Sequence, residues 1–193
     1  MNRSLRRMSS GLFEMKIEAK AFFAKFSQRS LFALDYGTPN PVIFNVSQKI
    51  LGVSDGKKYE IQFGKKLASY NKKGTSVEID VTPGTQDILS VQYMLRQWLK
   101  EGETEVVVPV VSKSNLKQYH FKITDRSAIQ VPAGRFNAVK VERMGPTQSY
   151  GSFWFATDWD FMLLKTVADG DKGKIERMEL RSGVIGGKPM VGL

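Results

Sequence analysis

Val81-Thr-Pro-Gly84-Thr-Gln-Asp87-Ile-Leu-Ser90-Val-Gln-Tyr-Met-Leu-Arg96-Gln-Trp98-Leu-Lys-Glu-Gly102 is the stretch whose apolar residues recur at helical rather than alternating spacing. At about 100° per residue, Ile88, Val91, Met94, Leu95, Trp98 and Leu99 share one arc. Ser90, Tyr93, Gln97, Lys100 and Glu101 lie opposite. Pro83-Gly84 breaks the chain ahead of it, Thr85 or Asp87 offers a cap for the free amides, and Gly102 suits a left-handed exit. The spacing predicts one helix over about 85–101, with Asp87 bracing its start rather than performing chemistry. Such a helix needs a sheet to lie against, and Leu89, outside the apolar arc beside Arg96, offers contact to a second layer.

On either side the chain alternates in twos. Phe13, Met15, Ile17 and Ala19 stand against Glu14, Lys16, Glu18 and Lys20, which predicts a half-buried strand to about Ala21 and then a bend over 22–26. Short strands follow at 30–34, 42–49 and 58–63, with a loop over 35–41 whose prolines deny ladder donors. Turn chemistry punctuates the rest: Ser54-Asp-Gly56, Asn71-Lys-Lys-Gly74, Pro132-Ala-Gly-Arg135, Gly145-Pro146 and 169–173. Roughly ten or eleven short strands around one helix specify a mainly β fold. The expected form is an antiparallel meander, as a curved sheet or open half-barrel, with the helix packed on or in it. Residues 1–10 are expected to be disordered or a leader remnant, 11–182 a single β-rich domain, and 183–193 a flexible glycine-rich tail.

At 193 residues and 41% hydrophobic content the chain can bury one sizeable core. A formal charge of +10 favours anionic partners: nucleic acid, lipid head groups or other envelope polyanions such as an anionic envelope surface. Cysteine is absent, which removes disulfides, thiol nucleophiles and thiolate metal sites. The start, Met1-Asn-Arg-Ser-Leu-Arg-Arg7, resembles the basic head of a secretory signal, but Glu14, Lys16, Glu18 and Lys20 interrupt any apolar run after it. As written the chain carries no recognisable export signal, which leaves a cytoplasmic location open.

Catalytic chemistry is thin. The one histidine, His120, shares the outward parity of Gln118 and Lys122, and no Gly-x-Ser-x-Gly elbow accompanies it. A zinc site usually takes several histidine or cysteine ligands, so no metal is expected. Asp169-Gly-Asp171-Lys-Gly173 opens like a calcium loop, yet its twelfth position is Leu180 where a bidentate glutamate is needed; a hairpin turn is the better reading. Asp158 and Asp160 flank Trp159 as a solvated turn rather than an acid–base pair. The pairs Lys57-Lys58, Lys65-Lys66 and Lys72-Lys73 fall at turns, where charge protects sheet edges. Tyr59, Ile61 and Phe63 take the opposite parity from Lys58, so specific nucleic-acid binding is not expected. No cofactor motif occurs. What stands out is the segment 150–157, apolar on both faces: Phe153, Trp154, Phe155 and nearby Trp159 are the candidate lining of a ligand site.

Three blocks carry a resemblance. Thr85-Gln86-Asp87-Ile88-Leu89-Ser90 with Tyr93 and Leu95-Arg96, then Ile129-Gln-Val-Pro132-Ala-Gly134-Arg-Phe136-Asn-Ala-Val139-Lys140-Val141, then the Trp154 strand and Glu179-Leu180-Arg-Ser182, resemble a bacterial family known as domain of unknown function 3108. The match runs roughly from Gly11 to Ser182. The resemblance implies export to the periplasm or cell envelope, and an architecture similar to the open half-barrels of outer-membrane lipoprotein carriers. It implies no activity. Its motif residues here, Gln86, Asp87, Ser90, Arg96, Pro132 and Gly134, are expected to be structural. The function expected from all this is a non-catalytic envelope protein that binds an apolar or amphipathic, lipid-like ligand. A protein–protein docking module is the alternative, and an enzyme the weakest reading.

Overall fold

Alternation governs nearly the whole chain. The computed structural model describes residues 1–52, 56–145, 149–169 and 175–193. Seven strands form an antiparallel sheet in sequence order: β1 (Asn2–Arg7), β2 (Phe13–Ala21), β3 (Ala24–Asp35), β4 (Thr38–Ile50), β5 (Lys58–Phe63), β6 (Leu67–Lys72) and β7 (Thr75–Asp80). Next come β8 (Gln86–Asp87), the helix α1 (Ser90–Glu101), β9 (Glu105–Ser112), β10 (Asn115–Val131), β11 (Gly134–Met144), β12 (Ser149–Ala156), β13 (Met162–Asp169) and β14 (Ile175–Glu179). The strands among these form a mixed sheet, ordered from β14 to β8, that curls into a half-barrel. A small hairpin, β15 (Val184–Ile185) and β16 (Lys188–Pro189), follows. The mainly β class with one helix is therefore as expected. The chain divides into two compact units, residues 1–95 with 108–118, and residues 96–107 with 119–193.

In the first unit, Phe32, Phe44 and Ile61 are fully buried on one face of the antiparallel sheet, with Met15 and Ile17 beside them and Leu89 and Val111 packed on the same cluster. Each such side chain contributes roughly 1.5–3 kcal/mol of burial. Residues 2–7, expected to be disordered or a leader remnant, form the paired strand β1: Leu5 lies opposite Met15 and packs on the core, and Arg6 bonds Glu14 at 2.8 Å. The expected loop over 35–41 is a two-residue turn. Tyr36 and Gly37 both have positive φ (47° and 86°), the type I′ geometry that suits a hairpin, so Pro39 and Pro41 lie within β4. The expected bend over 22–26 is likewise a tight turn at Phe22-Phe23, with Ala21 opposite Ala24.

The helix begins at Ser90, five residues after the expected start at 85. Gln86 and Asp87 leave the helical path to pair with Val110 and Val111, and this pair is parallel, which makes the second sheet mixed rather than wholly antiparallel. Nor is the polar arc of α1 uniformly outward. Ser90 is buried by its partnership with Asp87, and Tyr93 packs on Phe32 at 5.3 Å between ring centroids.

The chain from Asn115 to Val131 is one long strand, β10, which passes from the first unit into the second, with a register shift between Ile123 and Asp125. Val131, Phe136, Ala138, Ala156, Leu164 and Met190 form the second unit's buried cluster. The tail from 183, expected to be loose, is tied down: Met190 donates its amide to the Gly183 carbonyl at 2.8 Å and Leu193 to that of Arg135 at 2.7 Å. Apolar Ile185 and Met190 supply the reason, because they cover the face that carries Trp154 and Leu164. The expected turns at Ser54-Asp55, Pro146 and 170–173 lie outside the described residues.

Candidate functional site

Asp87 is wholly buried at the entrance to α1, and its hydrogen bonds brace that entrance. Its Oδ1 accepts the amides of Leu89 (2.7 Å) and Ser90 (2.9 Å), its Oδ2 accepts the Ser30 hydroxyl (2.6 Å), and its own amide donates to Ser90 Oγ (2.9 Å). This reciprocal exchange three residues apart is a capping box with aspartate in the first position. Burial pushes the Asp87 carboxyl up from its ordinary range, and the hydrogen bonds from Ser30, Ser90 and Leu89 oppose the rise without cancelling it. Gln86 anchors the same corner, donating from Nε2 to the carbonyls of Pro39 (2.8 Å) and Gly84 (3.0 Å).

The other motif residues are braces too. Arg96 is buried and grips one turn: Nε and Nη2 donate to the Asp160 carbonyl at 3.1 and 3.0 Å, and Nη2 also bonds Asp160 Oδ2 at 2.6 Å. Lys100 pairs with the same carboxylate. Asp160 and Phe161 both sit at positive φ (52° and 50°), a conformation costly for side-chain-bearing residues, so a buried bidentate arginine there holds a strained turn. Asp158 faces elsewhere, accepting from Asn137 Nδ2 at 2.8 Å; the two aspartates beside Trp159 do not form an acid–base pair. Pro132 occupies the turn between β10 and β11, and Gly134 has φ 134° with a Gly192 Cα 3.2 Å from where a Cβ would stand. His120 is partnered by Glu105 at the surface. Among the described residues no group of three or more carboxylates or histidines is placed to hold a metal ion.

Strand β12 does not gather its aromatics into one site. Phe155 is fully buried, and Phe153 packs edge-on against Phe121 at 6.1 Å on the same side. Trp154 points to the other face, between the ammonium groups of Lys140 (5.4 Å) and Lys165 (5.1 Å). Trp159 donates its indole N–H to the Val191 carbonyl at 3.1 Å. A shallow depression of about 240 Å³ in this unit is lined by Arg126, Ser127, Ala128, Asn137, Ala138 and Thr157, none of them aromatic.

The apolar face with the longest aromatic run is in the first unit, and sequence reasoning did not single it out. Phe13 stacks on Phe32 (6.0 Å), and across the sheet Phe44 meets Tyr59 (6.2 Å), which meets Tyr70 (5.3 Å). Phe32 and Phe44 are buried, whereas Tyr59, Tyr70, Phe63 and Phe26 are half-buried and continue the same face outward. Burial first, then Tyr70 and Asp87, push the Tyr59 hydroxyl up to about 12, so it stays a neutral donor and acceptor. The inward parity of Tyr59, Ile61 and Phe63 was the available signal.

A family model described as Protein of unknown function (DUF3108) matches residues 12–181. The chain belongs to this DUF3108 family. Among solved structures, the crystal structure of a β-barrel-like protein of domain of unknown function DUF1849 from Brucella abortus is similar at a TM-score of 0.57 and 8% identity, over 93% of this chain and 84% of that one. At that identity the likeness is one of fold. No curated protein matches the chain. Within this DUF3108 member, the motif residues 86, 87, 90, 96, 132 and 134 all serve turns, caps and close backbone approaches.

Proposed function

We propose that this protein is a non-catalytic binding protein of the bacterial cell envelope, and that its curved β-sheet takes an apolar or amphipathic, lipid-like ligand. The observation that carries the reading is the half-buried aromatic extension of the first unit's core: Tyr59, Tyr70, Phe63 and Phe26 present apolar surface that the unit's own buried residues do not fully cover. Binding sites for apolar molecules are lined in this way, with a few polar groups to orient the ligand. Tyr59, neutral up to about pH 12, is such a group for an amphipathic head. The carboxylate a catalytic reading would reach for first, Asp87, is committed to three hydrogen bonds that hold the helix entrance.

Native mass spectrometry of the protein purified from a bacterial envelope fraction tests this. A retained mass in the lipid range, lost in Tyr70→Glu while the fold persists by circular dichroism, is the expected outcome. A bare protein mass from every preparation, with no uptake of added fatty acid or phospholipid, overturns the ligand reading and leaves the docking-module alternative.

A further inference from the structure

We infer that the β2–β3 turn and the adjoining end of β4 form a docking crest that inserts into the head-group region of an anionic lipid bilayer. Phe22 and Phe23 make the two-residue turn between β2 and β3 and are 99% and 62% exposed. Ile50 and Leu51, at the end of β4, are 39% and 78% exposed. The two tips are one feature, because Ile50 lies opposite Ala24 and the Leu51 amide donates to the Phe23 carbonyl at 2.7 Å. Single exposed apolar side chains are ordinary, whereas four contiguous ones at the end of a sheet mark an interaction surface.

What stands behind the crest names the partner. Lys20 is directly opposite Lys25, and Lys25 directly opposite Lys49, so three ammonium groups share one face, Lys20 and Lys25 two residues behind the Phe22-Phe23 turn and Lys49 next to Ile50. Like charges in register across a sheet are destabilising. Edge protection does not account for them, because β2, β3 and β4 are all interior strands of the seven-stranded sheet. Among residues 19–26 and 47–52 there is no carboxylate, and Glu18, which shares the strand face of Lys20, is paired with Lys16 at 3.1 Å. Apolar side chains leading and lysines trailing match the layering of an anionic bilayer: acyl boundary first, phosphates next. Single-stranded nucleic acid fits less well, since it needs aromatic platforms beside the cations and half of this crest is aliphatic. The inference concerns the turn end of the first unit and stands apart from the ligand face proposed above.

Flotation with phosphatidylcholine vesicles, with and without phosphatidylglycerol, is the test. The intact chain is expected to float with the anionic vesicles and to release as salt is raised. Phe22→Ser with Phe23→Ser, and separately Lys20→Gln, Lys25→Gln and Lys49→Gln together, should each weaken that binding at least about tenfold, since affinity scales with buried apolar area and with charge. Lys65→Gln with Lys66→Gln, in the turn between β5 and β6 at the opposite end, should bind as the parent does. These side chains are exposed, so unchanged thermal melts are expected and separate lost binding from lost fold. Failure of the intact chain to float with either vesicle overturns the inference, as does undiminished binding by the double phenylalanine variant. A dimer in sedimentation that this variant dissolves, without vesicle binding, also overturns it and assigns the crest to a second copy of the chain.

Discussion

Asp87 shows how a buried ionisable residue can look functional while acting as a brace. Its carboxyl is raised by burial, and Ser30 is suited to either protonation state because a hydroxyl can donate to a carboxylate or accept from a carboxylic acid. A raised folded value means that the protonated form's contribution is fully present below the unfolded value of about 3.9 and is lost as pH rises through the folded one. Relative to Asp87→Asn, which keeps a capping oxygen but cannot ionise, the parent should lose about 1.4 kcal/mol per pH unit over that window. Urea midpoints of both proteins at several pH values check this, and a constant difference across the window would show that the carboxyl is not raised. Glu14 pulls the other way. Burial alone would raise it, but Arg29 and Arg6 hold it below the usual carboxylate range, so its contribution is lost as pH falls. The comparison with the asparagine variant, rather than the raw pH curve, therefore isolates Asp87. That this residue caps the helix was legible from its place before an apolar arc; its partner Ser30, 57 residues away, was not, because nothing local encodes a tertiary contact.

Among the elements, the tail is the instructive case. Strand β12 is apolar on both faces, which requires a cover for each. One cover is the hairpin of β15 and β16, the segment whose glycines suggest looseness. Those glycines serve turns and close approach: Gly186 and Gly187 have positive φ, and a Cβ on Gly192 would stand 2.8 Å from the Arg135 backbone. Gly134→Ala would put a methyl 3.2 Å from Gly192 at a φ of 134°, disfavoured for any side chain. We expect a cost of about 1–3 kcal/mol, together with an apolar dye bound at the uncovered Trp154–Leu164 face, while the far-ultraviolet spectrum stays strand-like. A melt unchanged by the substitution would deny the tail its structural part. The shortened start of α1 has a related cause: Gln86 and Asp87 satisfy backbone groups by pairing with β9, a gain that local helix propensity cannot register.

For the whole molecule, strand alternation carried the fold class, since period two survives in nearly every strand that forms. The ordering of strands was legible as well, because almost all neighbours in the two sheets are neighbours in sequence. Division into two compact units was not, for β9, β10 and α1 each pass from one unit to the other without any change of composition. The family assignment rests on the family model matched over residues 12–181, and the similarity to a β-barrel-like protein is one of fold. Nearest-neighbour pairing also bears on how the chain reaches its native state. Each hairpin closes a short loop at little entropic cost, so successive strands zip up early and independently. We expect the tail to join last, since the bond from Leu193 to Arg135 spans 58 residues and requires β11 to be in place first. In native-state hydrogen exchange, the amides of Met190 and Leu193 should therefore open at lower free energy than those of β3 and β4, as a sub-global unit that detaches and returns while both sheets stay intact.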